Sequence, residues 1–274
     1  MVIRKYEMVQ LSREPIEYQL NLLRNELSQR AYPGYPEFSD RLVVDPDALE
    51  ISASGRLVLP DGLWTVDAHP TRQDNDKAPS PAIQEELLSY GLELDSKGRP
   101  LHPWLVEMLS NPSIGVVTGK GVYWSWGPNR TVDPIVIKNG NILLVKRKDT
   151  GSWALPGGFI DRNEMPVAAA LREVAEETGI VLPPMAVAYS VYEGPVADIR
   201  MTANAWPETS ALLFQLDNET YLSEPRGADD ASDAAWVPLE IVRKKEKLFG
   251  SHPFLLQKAI IRLIYGSGSH STLY

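Results

Sequence analysis

The sequence predicts an α/β protein: a mixed β-sheet sandwiched between helices, preceded by an N-terminal α+β subdomain. Three observations carry that prediction. PIVI (134–137) and NILLVKRK (141–148) read as strands joined by Asn139-Gly140, a pair that tolerates the positive φ of a two-residue hairpin turn. Residues 185–194, 208–216 and 234–239 are further short apolar runs of strand length. Residues 166–178 and 253–265 have helical apolar spacing, and strands mixed with such helices bury both faces of a sheet.

Upstream, Ile16, Leu20, Leu23 and Leu27 place a helix over 16–30. AYPGYPEF (31–38) breaks it with Pro33, Gly34 and Pro36. Residues 56–60 and 63–66 are expected as short strands, 67–81 as a polar, proline-rich loop, and 82–90 as a short helix. His102 and His270 read as surface residues. The expected division is an N-terminal subdomain at 1–125, a second domain at 126–266 and a mobile tail at 267–274.

The 274 residues carry a net charge of -9, which argues against a nucleic-acid binder, since such proteins present a basic field. A phosphorylated substrate remains compatible, because a bound divalent cation reverses the local sign. There is no cysteine, so neither a disulfide framework nor thiolate chemistry is available. The N-terminus shows no apolar signal core and no apolar run reaches membrane-spanning length, so a cytoplasmic protein without membrane contact is expected.

The candidate chemistry lies in GGFIDRNEMPVAAALREVAEETGI, Gly157 to Ile180. Pro166 suits the first turn of a helix and Gly179 the position past its end. Val167, Leu171, Val174 and Thr178 form one largely apolar stripe. Glu173, Glu176 and Glu177 then share the far face, where like charges repel. A hard divalent cation such as Mg²⁺ prefers carboxylate oxygens and would relieve that repulsion.

This stretch resembles the box of the Nudix hydrolases, G-x5-E-x7-R-E-U-x-E-E-x-G-U, where U is bulky and apolar. Gly158, Glu164, Arg172, Glu173, Val174, Glu176, Glu177, Gly179 and Ile180 fill its fixed positions. The resemblance implies a Nudix fold and hydrolysis of a diphosphate linked to another moiety. It assigns catalysis to Glu164, Arg172, Glu173, Glu176 and Glu177. It assigns Mg²⁺, with Mn²⁺ able to substitute, to Gly158, Glu173, Glu176 and Glu177.

The flanks narrow the resemblance. WSWGPNRTVDPIV (124–136), DIRMTANAWPET (198–209), ADDASDAAWV (228–237) and LFGSHPFL (248–255) resemble segments of the ADP-ribose pyrophosphatase branch. They also resemble the Nudix-like domain of ADP-ribose-gated melastatin-type channels. That implies a small nucleoside diphosphate sugar as substrate and a monomer, with Trp126, Asn129, Asp198, Arg200, Glu208, Asp230, Ser251 and His252 toward the ligand. Trp126 and Asn129 also suit a rigid turn, and Trp206 suits the core better than a stacking role. His252 stands at a helix start, where a helix-terminal bond competes with ligand contact. Glu177, Glu208 and Asp230 are the alternatives for a general base. Other diphosphate substrates (NADH, FAD, a dinucleoside polyphosphate) and non-catalytic ADP-ribose sensing are the competing readings.

Overall fold

The computed structural model describes residues 13–30, 32, 34–36, 41, 49–59, 63–66, 78–109, 111, 114–220, 222–244 and 248–265. Most of the expected 67–81 loop, half of AYPGYPEF, His270 and the tail lie outside the described residues. The chain forms two compact units: residues 1–129 with 195–207, and residues 130–194 with 208–274.

The first unit holds α1 (Arg13–Leu27), the two-residue strands β1 (Glu50–Ile51) and β2 (Leu57–Val58), α2 (Pro81–Ser89) and α3 (Leu105–Leu109). The helical spacing of α1 does what it implies: Ile16, Leu20, Leu23 and Leu27 are all buried. They join a core with Trp104, Leu105, Met108 and Ile114. α2 starts at Ser80, whose hydroxyl accepts the Ile83 N–H, with Pro81 in the first turn. α3 has five residues, too few for a period to register in sequence. The expected strand at 63–66 reduces to a single parallel bridge between Thr65 and Thr118.

Residues 195–207, which the sequence assigned to the second domain, belong to this unit. Ala197, Ile199, Met201, Ala203 and Trp206 enter its core, an allegiance set by partners distant in sequence. Trp206 is 1% exposed and a core residue. His102 corrects the surface expectation. It is 2% exposed, its ring lies against Trp104 and Trp206, and its Nδ1 accepts the Trp104 N–H at 2.9 Å. Burial pushes its pKa down to about 3, so the ring is neutral.

The second unit carries most of the sheet. Its strands are β3 (Gly127–Lys138), β4 (Asn141–Arg147), β5 (Trp153–Ala154), β6 (Gly158–Phe159), β7 (Ala188–Pro195), β8 (Ala205–Leu216) and β9 (Ala231–Pro238). Its helices are α4 (Pro166–Thr178), α5 (Leu239–Lys244) and α6 (His252–Tyr265). The order is β5-β4-β3-β8-β7, with β6 also on β3 and β9 also on β4. β3 and β4 pair antiparallel through Lys138 and Asn141, and Asn139 (φ 51°) and Gly140 (φ 72°) make the expected turn. β5 and β6 have two residues each, below the length at which alternation is legible.

α4 begins at Pro166 and ends on Gly179 in the left-handed region, as its punctuation dictates. Val174 and Thr178 of the expected stripe are buried, whereas Val167 and Leu171 are only partly so. Ala169 and Ala170 are fully buried instead, packed with Val174 on Val132, Val136, Leu143, Leu212 and Phe214. Small side chains let the helix lie close on the sheet, an effect that a search for bulky residues misses. Among the described residues, no helix is long and apolar enough to cross a membrane.

Candidate active site

The second unit gathers the box residues around α4. Arg172 is the hub. Its Nε and Nη2 donate to Glu164 Oε1 and Oε2 at 3.0 and 2.9 Å. Its Nη1 donates to Glu173 Oε1 at 2.7 Å and Glu176 Oε2 at 2.9 Å. Nη2 also reaches the Phe159 carbonyl at 3.0 Å. Five N–H donors thus meet five acceptors, the use for which the planar fork of arginine is suited. Glu164 in turn accepts the Asp161 N–H at 2.9 Å. Its carboxyl lies below the ordinary value, chiefly through the Arg172 bond.

Glu173 and Glu177 differ from Glu176. Both are 8% exposed, whereas the Glu176 side chain is 49% exposed. Burial raises the Glu173 pKa, and it raises that of Glu177 to about 7. The negative charge of Glu173 adds to the Glu177 shift, and the Gly157 N–H, donating to Glu177 Oε2 at 3.0 Å, opposes it. Asp230 and Arg147 act on Glu177 with opposite signs, and Asp229 acts on Glu173. The 226–230 loop is tied here by its backbone: Arg226 and Ala228 N–H groups cap the Thr178 and Glu177 carbonyls of α4.

The two glycines are needed for different reasons. A Cβ on Gly157 would stand 2.3 Å from the Val132 carbonyl oxygen, part of the backbone. One on Gly158 would stand 2.4 Å from Glu173 Oε1, at the end of a side chain. Gly157→Ala should therefore cost about 2–3 kcal/mol of stability in urea unfolding. Gly158→Ala should cost less than about 1 kcal/mol yet displace Glu173 and weaken divalent-cation binding in a calorimetric titration. Equal stability losses in the two variants would contradict this division.

No three or more Asp, Glu or His among the described residues form a closed cation cage. The donor set nevertheless fits a hard ion. Mg²⁺ is usually held by one or two carboxylates and completed by water and substrate phosphate oxygens. Glu173 and Glu177 are two buried carboxylates whose repulsion such a cation removes, beside a cradle at Gly158 that any Cβ would fill.

The remaining expected residues are distributed as follows. Glu208 shares the face of β8 with Leu212 and Phe214, which pack toward α4. Asp230 stands in the loop that caps α4. Ser251 is 4% exposed, and its carbonyl takes the first backbone bonds of α6. His252 is engaged by protein at both ring nitrogens: Nδ1 accepts the Leu155 N–H at 2.8 Å, and Nε2 lies 3.4 Å from Asp133 Oδ1. Phe249 packs with Val145, Ala154, Ala231 and Ala234, and the Arg147 guanidinium lies 4.3 Å from its ring centroid.

In the first unit, Asn129 closes a turn through Ser125 and Gly127, and Trp126 is buried with Leu87 and Leu94. Asp198 holds the Arg200 guanidinium at 2.8 and 2.6 Å, and the Tyr35 hydroxyl donates to the Arg200 carbonyl. Sequence reasoning passed over Asp133, although it stands within the quoted 124–136 segment. Its Oδ2 accepts the Thr209 hydroxyl at 2.5 Å.

Residues 128–257 match the family model described as NUDIX domain. A Caenorhabditis elegans protein named for the nudix hydrolases is 36% identical, over 50% of this chain and 56% of its own length. The mitochondrial ADP-ribose pyrophosphatase of Rattus norvegicus is 30% identical, over 61% of this chain and 55% of its own. A transient receptor potential cation channel, subfamily M member-like 2, of Nematostella vectensis is 24% identical, over 89% of this chain and 18% of its own. The chain spans a little over half the length of the first two relatives. The arginine-centred glutamates of α4 and the Gly157-Gly158 turn lie within the residues that match the NUDIX domain model, a little under half of the chain.

Proposed function

We propose that the chain is a divalent-metal-dependent pyrophosphatase that hydrolyses ADP-ribose to AMP and ribose 5-phosphate. The observation that carries the reading is the pair of buried carboxylates, Glu173 and Glu177, each with a raised pKa and each facing a backbone glycine. A structural acidic face would stay exposed and titrate ordinarily; groups shifted this way cluster at functional sites. The rat relative, named as an ADP-ribose pyrophosphatase, supports the choice of substrate.

Glu173 and Glu177 would hold Mg²⁺ or Mn²⁺, with the more exposed Glu176 adding negative charge beside them. The bound cation would supply charge neutralisation for the diphosphate and acidify a water. The chain's own residues do the positioning. Arg172 fixes Glu173 and Glu176 and anchors them to the 159–164 loop through Glu164 and Phe159. Gly158 keeps the backbone clear of a Cβ beside Glu173, and Gly157 lets the turn lie against the Val132 carbonyl of β3 while its N–H holds Glu177. With Glu177 engaged as a ligand, Asp230 and Glu208 become the proton acceptors for the attacking water.

Product analysis tests the proposal. Protein with Mg²⁺ is incubated separately with ADP-ribose, NADH, FAD and a dinucleoside polyphosphate. AMP and ribose 5-phosphate from ADP-ribose, formed faster than any product of the others, are expected. Preference for another substrate would discard ADP-ribose while keeping the chemistry. Tight ADP-ribose binding without hydrolysis would replace the enzyme reading by a sensor.

A further inference from the structure

We infer that His252 and Asp133 are positioning residues for the candidate metal site, acting through the Leu155–Gly158 turn. The inference rests on the reading of Glu173 and Glu177 as cation ligands, and all its contacts lie within the second unit.

The turn and the strand leading into it are held at three points. Upstream, Trp153 pairs with Leu248 in a parallel bridge, and the Phe249 N–H donates to the Trp153 carbonyl at 2.9 Å. Two residues on, the Leu155 N–H donates to His252 Nδ1 at 2.8 Å. Two residues further, the Gly157 N–H donates to Glu177 Oε2 at 3.0 Å. The histidine thus fixes the backbone immediately before the amide that holds the buried carboxylate.

Asp133 selects the tautomer that makes this possible. An imidazole accepting at Nδ1 carries its proton on Nε2 when neutral. That nitrogen lies 3.4 Å from Asp133 Oδ1, an electrostatic contact that favours the proton there. Asp133 is itself fixed, since Oδ2 accepts the Thr209 hydroxyl at 2.5 Å. The turn also runs close to the same carboxylate: a Cβ at Gly157 would lie 3.1 Å from Asp133 Oδ1. Val132 and Val136 pack with α4, so Asp133 leaves the opposite face of β3. Leu155–Gly158 is therefore clamped by His252 and Asp133 on one side and answers to Glu177 on the other. Supporting contacts behind a metal ligand typically change affinity 10- to 100-fold.

The test uses the full chain and Mn²⁺ alone, titrated by calorimetry and by its paramagnetic resonance signal, with thermal unfolding measured in parallel. His252→Asn keeps an acceptor oxygen near the Nδ1 position, and His252→Phe keeps the ring and removes the acceptor. Mn²⁺ affinity is expected near wild type in H252N and about tenfold weaker in H252F. A packing role alone would lower the melting temperature of both variants and leave Mn²⁺ affinity unchanged. Wild-type affinity in H252F, or equal loss in the two folded variants, would overturn the inference. The outcomes separate it from the underlying reading. Mn²⁺ binding lost in Glu177→Gln but kept in H252F refutes the clamp alone. Wild-type protein that binds no Mn²⁺ refutes the metal site and the clamp together.

Discussion

Glu177→Gln should lower the rate of the proposed ADP-ribose hydrolysis about a thousandfold or more and, without divalent cations, make the protein more stable. The two effects have one cause. Glu177 is buried, and its folded pKa lies near 7 against an ordinary value of 4.5. The folded state therefore binds this proton more tightly than the unfolded chain. Its contribution to stability is present below pH 4.5 and is lost as the pH rises toward 7. The difference of two and a half pH units corresponds to about 3 kcal/mol. Glutamine keeps the shape and never ionises, so it escapes that loss. Unfolding in urea at pH 8 without metal should show the variant ahead, and at pH 4.5 the two proteins should coincide. Added Mg²⁺ should reverse the order at pH 8, because only the wild type offers the charged oxygen. On the catalytic side, losing about 4 kcal/mol of metal-assisted transition-state stabilisation gives the thousandfold fall. Activity within tenfold of wild type in the variant would remove Glu177 from the mechanism.

Arg172 carries the second large effect. Replacement by alanine or lysine should each reduce kcat for ADP-ribose about 100-fold, the upper range for a group that orients metal ligands. The lysine result is the sharper one. A lysine restores the positive charge that Glu164, Glu173 and Glu176 face, but an ammonium has three donors on a flexible stem. It cannot reproduce five bonds spread over three carboxylates and the Phe159 carbonyl. Unfolding in urea should therefore show lysine recovering part of the stability that alanine loses, while kcat remains low in both. Full recovery of kcat in Arg172→Lys would show that charge neutralisation alone is required and that the fork geometry is not.

The box was legible because its signals are local. Pro166, Gly179 and the acidic face of α4 need only the 3.6-residue period and the stereochemistry of proline and glycine. The Asn139-Gly140 hairpin is local in the same sense, since two positive φ angles in succession select those residues. Strands of two residues and the five-residue α3 fell below the length at which a period exists.

Local sequence is enough to specify the set of glutamates, the arginine among them, the helix that carries them and the class of chemistry they suit. The tertiary structure alone decided how those carboxylates differ. Glu173, Glu176 and Glu177 look equivalent along the helix, yet two are buried and one is half exposed. That difference comes from where α4 lies against the sheet and the Gly157-Gly158 turn, and desolvation depends on that placement rather than on residue type. His102, buried between two tryptophans, is a second case. His252, drawn to Asp133 and Leu155, is a third. Leu155 and His252 stand 97 positions apart. Sequence spacing can place residues on one face of one element; only the packed chain decides which side chains meet across such distances and what each meeting does to a charge.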